Sequence, residues 1–152
     1  MTAPCHRHPE HIAILRSSLK HWTGCDLVAP DLDDEQAAIA VHDAPFAIVS
    51  HGTEADPVFN YANRTALQLF EMDWDECTST PSRLSAEPVS REERAGLLAE
   101  VSKNGFIDNY TGVRISKTGK RFLIENATVW NLLDENGAYC GQAAMFSDWK
   151  NL

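Results

Sequence analysis

The sequence predicts an α+β domain in which strands and helices occupy separate parts of the chain. Two short apolar runs form a first strand pair, a helical middle follows, and the last third holds three long runs rich in β-branched and aromatic residues. Since these elements do not alternate, a Rossmann-like parallel sheet is excluded. The 152 residues are enough for one domain with a substantial core.

The chain begins with a segment that is typical of an amphipathic helix. Between Pro9 and Thr23 the apolar residues recur at spacings of three and four, and Gly24 follows as a stop signal. Such a stripe must be buried against this domain or against a second copy of it. We expect a homodimer whose interface contains Ile12, Leu15, Leu19 and Trp22.

A second, shorter helix is predicted over Asp33 to His42, because acidic residues precede it and Pro45 follows it. Residues 1–45 are therefore predicted to form a helical leader, and residues 46–149 the strand-containing domain.

The first strand pair is predicted at Phe46–Ser50 and Pro57–Tyr61, joined by a polar turn. Asn63 is placed to cap the next helix, which contains an apolar face. A capping-box pattern at Ser90–Glu93 predicts the start of a longer helix that ends at Gly105.

The last third of the chain predicts an antiparallel meander. Its three strands are expected over Phe106–Ser116, Arg121–Leu133 and Ala138–Trp149. Lys117–Lys120 and Asp134–Gly137, which separate them, are rich in hairpin-turn residues.

Composition argues against several classes of partner. The formal net charge of −9 opposes binding to nucleic acid and to anionic membrane surfaces. No run approaches the roughly 20 apolar residues of a membrane span, and the first residues lack the apolar stretch of a signal peptide, so a cytoplasmic location is expected. The four cysteines are scattered, which favours free thiols over disulfides or structural zinc.

Four segments resemble the MEKHLA domain family, a PAS-like group, in its stand-alone bacterial type. They are Ser50–Asn63 (SHGTEADPVFNYAN), Arg83–Pro88 (RLSAEP), Gly105–Ile107 (GFI) and Thr128–Leu133 (TVWNLL). The resemblance covers roughly residues 10 to 149. It implies a five-stranded antiparallel sheet with helices on one face, a pocket between them, and a sensing or protein-interaction role.

Alternation along the middle strand of the meander suggests where that pocket lies. Phe122, Ile124, Asn126, Thr128 and Trp130 are expected to share one face, and a mixture of aromatic and polar groups is typical of a small-molecule site. The predicted ligand-binding residues are Tyr61, Asn63, Phe70, Trp74, Tyr110, Asn126, Thr128, Trp130 and Gln142. The alternative is that they are ordinary core residues.

Other chemical motifs are weaker. His51, Glu54 and Asp56 occupy one turn, where a structural role is favoured over a metal or acid-base site, and Cys5–His11 lies at a terminus. No nucleophile motif or phosphate-binding glycine loop occurs. The helix after Asn63 lacks the cysteine of flavin-adduct photoreceptors, and no histidine lies between Asn60 and Asn104 to bind haem, so no cofactor is identified.

Three functions therefore stay open. The first is a non-enzymatic sensor that binds an unidentified small molecule. The second is a ligand-free interaction module that contacts a protein partner or itself. The third is an enzyme that uses His51, Tyr110 or Glu125 in proton transfer.

Overall fold

The structure is a computed structural model that describes residues 9–85 and 88–152, and it confirms the α+β fold. In chain order its elements are α1 Pro9–Thr23, α2 Asp34–His42, β1 Ala47–His51, β2 Phe59–Ala62, α3 Arg64–Phe70, α4 Trp74–Cys77, a 3-10 turn Ser82–Ser85, α5 Pro88–Asn104, β3 Phe106–Ile115, β4 Arg121–Leu133, β5 Tyr139–Phe146 and β6 Asp148–Asn151.

The strands form one antiparallel sheet in the order β2-β1-β5-β4-β3. The last predicted strand is divided at Ser147, so β5 pairs with one half of β4 and β6 pairs with the other half. This order places β1 inside the sheet, between its hairpin partner β2 and the meander strand β5.

Side-chain caps fix the starts of three helices. Asp33 caps α2 in a capping box with Gln36, and Asp73 caps α4 in the same way with Glu76. Asn63 caps α3, as predicted. The long helix α5 begins at Pro88, two residues before the predicted capping box, which agrees with the preference of proline for the first helical turn.

Helices cover both faces of the sheet. On the inner face, α3 and α5 pack on the sheet around an inner core that includes Phe70, Val101 and Phe122. On the outer face, α1 and α2 pack around an outer core that includes Leu15 and Trp130. The predicted leader thus shares a hydrophobic core with the sheet.

Two β-bulges control which residues of the meander face each core. Ile107 pairs with Val129 but Tyr110 pairs with Ala127, so β3 carries an extra residue there, and Asn109 has a φ of 60°. Further along, β4 carries the extra residue, and Asn126 has a φ of 55°. Because a bulge reverses the alternation, Trp130 lies on the face opposite to Phe122 and Ile124.

Substitutions at Asn126 test whether the bulge requires a residue with a positive φ. Asn126→Val is expected to lower the free energy of unfolding by about 1–3 kcal/mol, because a β-branched residue tolerates a positive φ poorly. Asn126→Gly is expected to stay close to the wild type, since glycine adopts this conformation freely. Urea unfolding of both variants provides the measurement. Equal stability of the valine and glycine variants would show that no left-handed residue is required at this position.

Candidate functional site

A small cavity lies on the inner face of the sheet, between the sheet, α5 and the 3-10 turn. Its void measures about 570 Å³ when the solvent at its mouth is included, and about 60 Å³ can be reached by the centre of a water molecule. It is lined by Val49, Ser50, His51, Phe59, Phe70, Ser82, Ser85, Leu97, Leu98, Tyr110, Arg114, Ile124, Val129, Gln142, Ala143, Ala144 and Phe146.

Most of the cavity wall is apolar. Phe59, Phe70, Leu97, Val129 and Phe146 are all buried and belong to the inner core. A few polar side chains converge on the same space from β1, the 3-10 turn, β3 and β5. An apolar wall with a small number of placed polar groups is typical of small-molecule sites.

Arg114 contributes the charged group in this wall. It is 7% exposed, and its guanidinium donates from Nη1 to the Val113 carbonyl at 2.7 Å and from Nη2 to the Tyr110 hydroxyl at 2.9 Å. The Tyr110 hydroxyl in turn donates to Glu93 Oε1 at 2.7 Å. A cation in the cavity wall is thus connected through one phenol to a carboxylate on the exposed side of α5.

Gly112 makes this arrangement possible. A Cβ at this position would lie 2.2 Å from the Tyr110 hydroxyl oxygen, so any larger residue would displace the phenol. With glycine there, the Tyr110 ring lies along β3 and the Arg114 guanidinium carbon is 5.4 Å from its centroid. Burial raises the pKa of Tyr110 although Arg114 opposes the rise, so the phenol keeps its proton near neutral pH.

A hydrogen-bond network joins the cavity to both helical layers. Gln142 Nε2 donates to the Leu98 carbonyl at 3.1 Å and to Asn131 Oδ1 at 3.1 Å. Asn131 Nδ2 donates to the Val101 carbonyl of α5 at 2.9 Å. On the other face of the sheet, Trp22 Nε1 of α1 donates to the Asn131 carbonyl at 3.0 Å. β4 and β5 therefore contact α5 and α1 through the same two amide residues.

The structure brings together three of the nine predicted ligand-binding residues. Phe70, Tyr110 and Gln142 line the cavity. Tyr61, Trp74 and Trp130 instead pack with the outer core, away from this space.

The remaining three predicted ligand-binding residues also lie outside the cavity wall. Asn126 is exposed at its bulge and Thr128 is half-buried on β4. Because the bulge reverses the alternation, the predicted common face of Phe122, Asn126 and Trp130 does not exist.

Asn63 is fully buried, but its amide is occupied by the backbone. Its Nδ2 donates to the Val41 carbonyl at 2.9 Å and to the Phe46 carbonyl at 2.8 Å. Its Oδ1 accepts from the amides of Ile48 and Ala66. These four bonds tie the end of α2, β1 and the start of α3 together, which is a structural role.

The apolar stripe of α1 is covered by the chain itself. Ile12 and Leu15 are 0% exposed and Leu19 is 2% exposed within the outer core. Trp22 is half-buried and packs on Gly105, where a Cβ would lie 2.4 Å from its ring. In this arrangement Ile12, Leu15 and Leu19 are therefore covered by the chain's own outer core, and a dimer interface on the stripe stays a prediction.

Of the weaker motifs, His51 lines the cavity, and none forms a metal-binding group in the described part of the chain. Residues 9–85 and 88–152 contain no group of three or more His, Cys, Asp or Glu side chains that could hold a metal. Cys5 to His8 of the terminal cluster lie outside the described residues. Asp56 pairs with Arg83, and Glu125 pairs with Lys150 and does not line the cavity.

The thiol within the inner core is a poor nucleophile. Cys77 is buried, and its desolvation raises its pKa to about 12, so the nucleophilic thiolate is scarce at neutral pH.

The fold has many solved relatives of one class. A PAS domain from Colwellia psychrerythraea superposes with a TM-score of 0.64 at 17% identity, over 77% of this chain and 94% of that one. An RNA-binding light-oxygen-voltage receptor superposes with a TM-score of 0.62 at 18% identity, over 82% of this chain and 35% of that one. The domain therefore has the PAS fold.

The family is shown by the sequence comparison. The model of the MEKHLA domain matches residues 9–151, and the chain belongs to this family. The homeobox-leucine zipper protein ATHB-14 of Arabidopsis thaliana is 25% identical over 148 residues, which is 93% of this chain and 17% of that protein. The chain thus spans about a sixth of the length of this curated relative. None of the described helices is both long and apolar enough to cross a bilayer.

Proposed function

We propose that the chain is a non-enzymatic sensory module that binds a small molecule in the inner cavity. The supporting observation is the cavity wall itself, in which a few polar groups from four parts of the fold converge on an otherwise apolar space. PAS and light-oxygen-voltage domains among the structural relatives supply the precedent for sensing.

Ligand occupancy would reach the surface through the two amide residues of β4 and β5. A ligand that shifts Gln142 changes its bonds to α5 and to Asn131, and the Asn131 carbonyl is the acceptor for Trp22 of α1. The output of the sensor is then a change in how tightly α5 or α1 packs on the sheet.

A homodimer, a cytoplasmic location and the absence of nucleic-acid binding stay predictions from the sequence. With the stripe of α1 buried in its own chain, a homodimer would use another surface. The large hydrophobic side chains exposed among the described residues lie on separate elements, at Ile39, Leu84, Tyr139 and Leu152.

The ligand proposal is tested by closing the cavity. Ala144 lines the cavity from β5, and Ala144→Leu places additional atoms in it. The matched control is Ala95→Leu, which makes the same change on the exposed side of α5. The probes are benzoate, benzamide, hexanoate and hexanamide, which are small compounds with one polar end and an apolar body.

Binding is measured by two-dimensional NMR titration up to about 10 mM, where a dissociation constant near 1 mM would be saturated. We expect at least one probe to shift amide signals of cavity residues in the wild type and in Ala95→Leu, and to bind at least about tenfold more weakly to Ala144→Leu. Circular dichroism confirms that the variants are folded. No saturable shift with any probe, or unchanged binding in Ala144→Leu, would overturn the proposed function.

A further inference from the structure

A buried guanidinium in the cavity wall has no ion-pair partner among the described side chains. Arg114 is 7% exposed and stands in none of the described ion pairs, whereas the exposed Arg83 pairs with Asp56. Its two described acceptors, the Val113 carbonyl and the Tyr110 hydroxyl, are both neutral. Since a guanidinium has five N–H donors, donors are left over for another acceptor.

The carboxylate of Glu93 is connected to Arg114 only indirectly. Glu93 accepts from the Tyr110 hydroxyl, and that hydroxyl accepts from Arg114, so a phenol separates the two charges. The same two bonds hold Tyr110 and keep the guanidinium in place. Buried charges in proteins are normally paired, because an unpaired charge loses its hydration without compensation. We therefore expect the negatively charged partner of Arg114 to bind in the cavity that Arg114 lines.

We propose that the ligand of this cavity is a small organic anion with an apolar body, whose carboxylate or similar acidic group is bound by Arg114. The inference rests on the proposed function and adds the chemical class of the ligand. The apolar body would contact Phe59, Phe70, Val129 and Phe146, which line the same space. A planar guanidinium matches a carboxylate with two parallel hydrogen bonds, which gives orientation as well as affinity.

The overall charge of the protein does not prevent such binding. The formal net charge of −9 repels anions at long range, but salt screens exposed charges beyond about 8 Å at physiological ionic strength. Arg114 acts at contact distance inside a low-dielectric wall, where a charge-assisted hydrogen bond is stronger than in water. The preference for an anion thus comes from direct contact with Arg114, and the net charge of the protein does not contribute to it.

The test compares each carboxylate with its neutral amide of nearly the same shape, benzoate with benzamide and hexanoate with hexanamide. In the wild-type chain at neutral pH we expect the preferred carboxylate to bind at least about tenfold more tightly than its amide. Arg114→Gln is expected to remove this preference, because it removes the charge and keeps a polar side chain. Arg114→Lys keeps the charge without the planar fork, and we expect it to retain only part of the preference.

The control variant is Arg83→Gln, which removes an equal charge from an exposed ion pair and is expected to leave the preference unchanged. If Arg114→Gln does not fold, the comparison of Arg114→Lys with the wild type still tests whether Arg114 causes the preference for the carboxylate. Equal binding of amide and carboxylate to the wild type would overturn the anion inference and leave the proposed function standing. Binding of neither compound would overturn both. A carboxylate preference that Arg114→Gln and Arg114→Lys retain in full would overturn the role of Arg114.

Discussion

Trp130→Ala is expected to lower the free energy of unfolding by about 3–5 kcal/mol, because the indole is 0% exposed in the outer core between the sheet and α1. Domains of this kind have a total stability of about 5–15 kcal/mol, so the change removes a large part of it. Urea unfolding followed by circular dichroism is the appropriate measurement, since the substitution removes a tryptophan fluorophore.

Trp149→Ala is the matched control. Trp149 lies on β6, is only half-buried, and packs edge-to-face on Phe146, so its loss is expected to cost clearly less than the loss of Trp130. Equal costs for the two variants would contradict the placement of Trp130 beneath α1. Loss of probe binding in Trp130→Ala at unchanged stability would instead support the pocket position that simple alternation predicts.

The sequence predicts the order of elements well because its signals are local. The turn residues between the last strands, the Asn63 cap and the stripe of α1 each act over a few residues, and all three occur in the structure. In the meander, one extra residue in a strand moves every following side chain to the opposite face of the sheet. Asn126 looks like a polar residue of a regular strand, and nothing beside it in the sequence indicates a positive φ.

The same bulge explains why Trp130 lies outside the cavity wall. Regular alternation predicts Trp130 on the same side as Phe70, Tyr110 and Gln142, which lie in the cavity wall, but the bulge at Asn126 interrupts that alternation. The role of those three residues in ligand binding stays a prediction.

Arg114, Ser82 and Ser85 line the cavity but were not identified from the sequence. Arg114 reads as an ordinary polar residue between Val113 and Ile115, and the two serines lie in a segment rich in turn residues. One signal was present for Arg114. It shares its strand parity with Tyr110 and Gly112, and a glycine between an aromatic and a cation leaves space for the two to meet.

The two cores place the inner cavity and the leader helix on opposite sides of the same strands. Gln142 faces the cavity and α5, and its neighbour across the strands, Asn131, accepts from α1 through its carbonyl. A ligand in the cavity can therefore affect the packing of α1 by moving one pair of strands, β4 and β5. This coupling is useful only if α1 is held by the sheet of its own chain, and that condition can be measured directly.

Leu15→Asp measures it, because Leu15 lies at the centre of the α1 stripe and is 0% exposed. A carboxylate there would lose its hydration without a partner, so we expect the free energy of unfolding to fall by about 4 kcal/mol or more. The matched control is Ile39→Asp on α2, where the side chain is 44% exposed and the expected change is within about 0.5 kcal/mol. Urea unfolding gives both values, and sedimentation velocity gives the oligomeric state of each variant.

Urea unfolding and sedimentation velocity together distinguish an α1 stripe that belongs to the core of its own chain from one that forms an interface with a second copy. If α1 is held by its own sheet, Leu15→Asp destabilises the chain strongly whatever its oligomeric state, and Ile39→Asp does not. If the stripe instead binds a second copy, Leu15→Asp dissociates an oligomer and leaves the subunit about as stable as Ile39→Asp. Because ligand signals from Asn131 can reach α1 only when Trp22 is docked on the same chain, the second result would also remove the proposed route from the cavity to the leader helix.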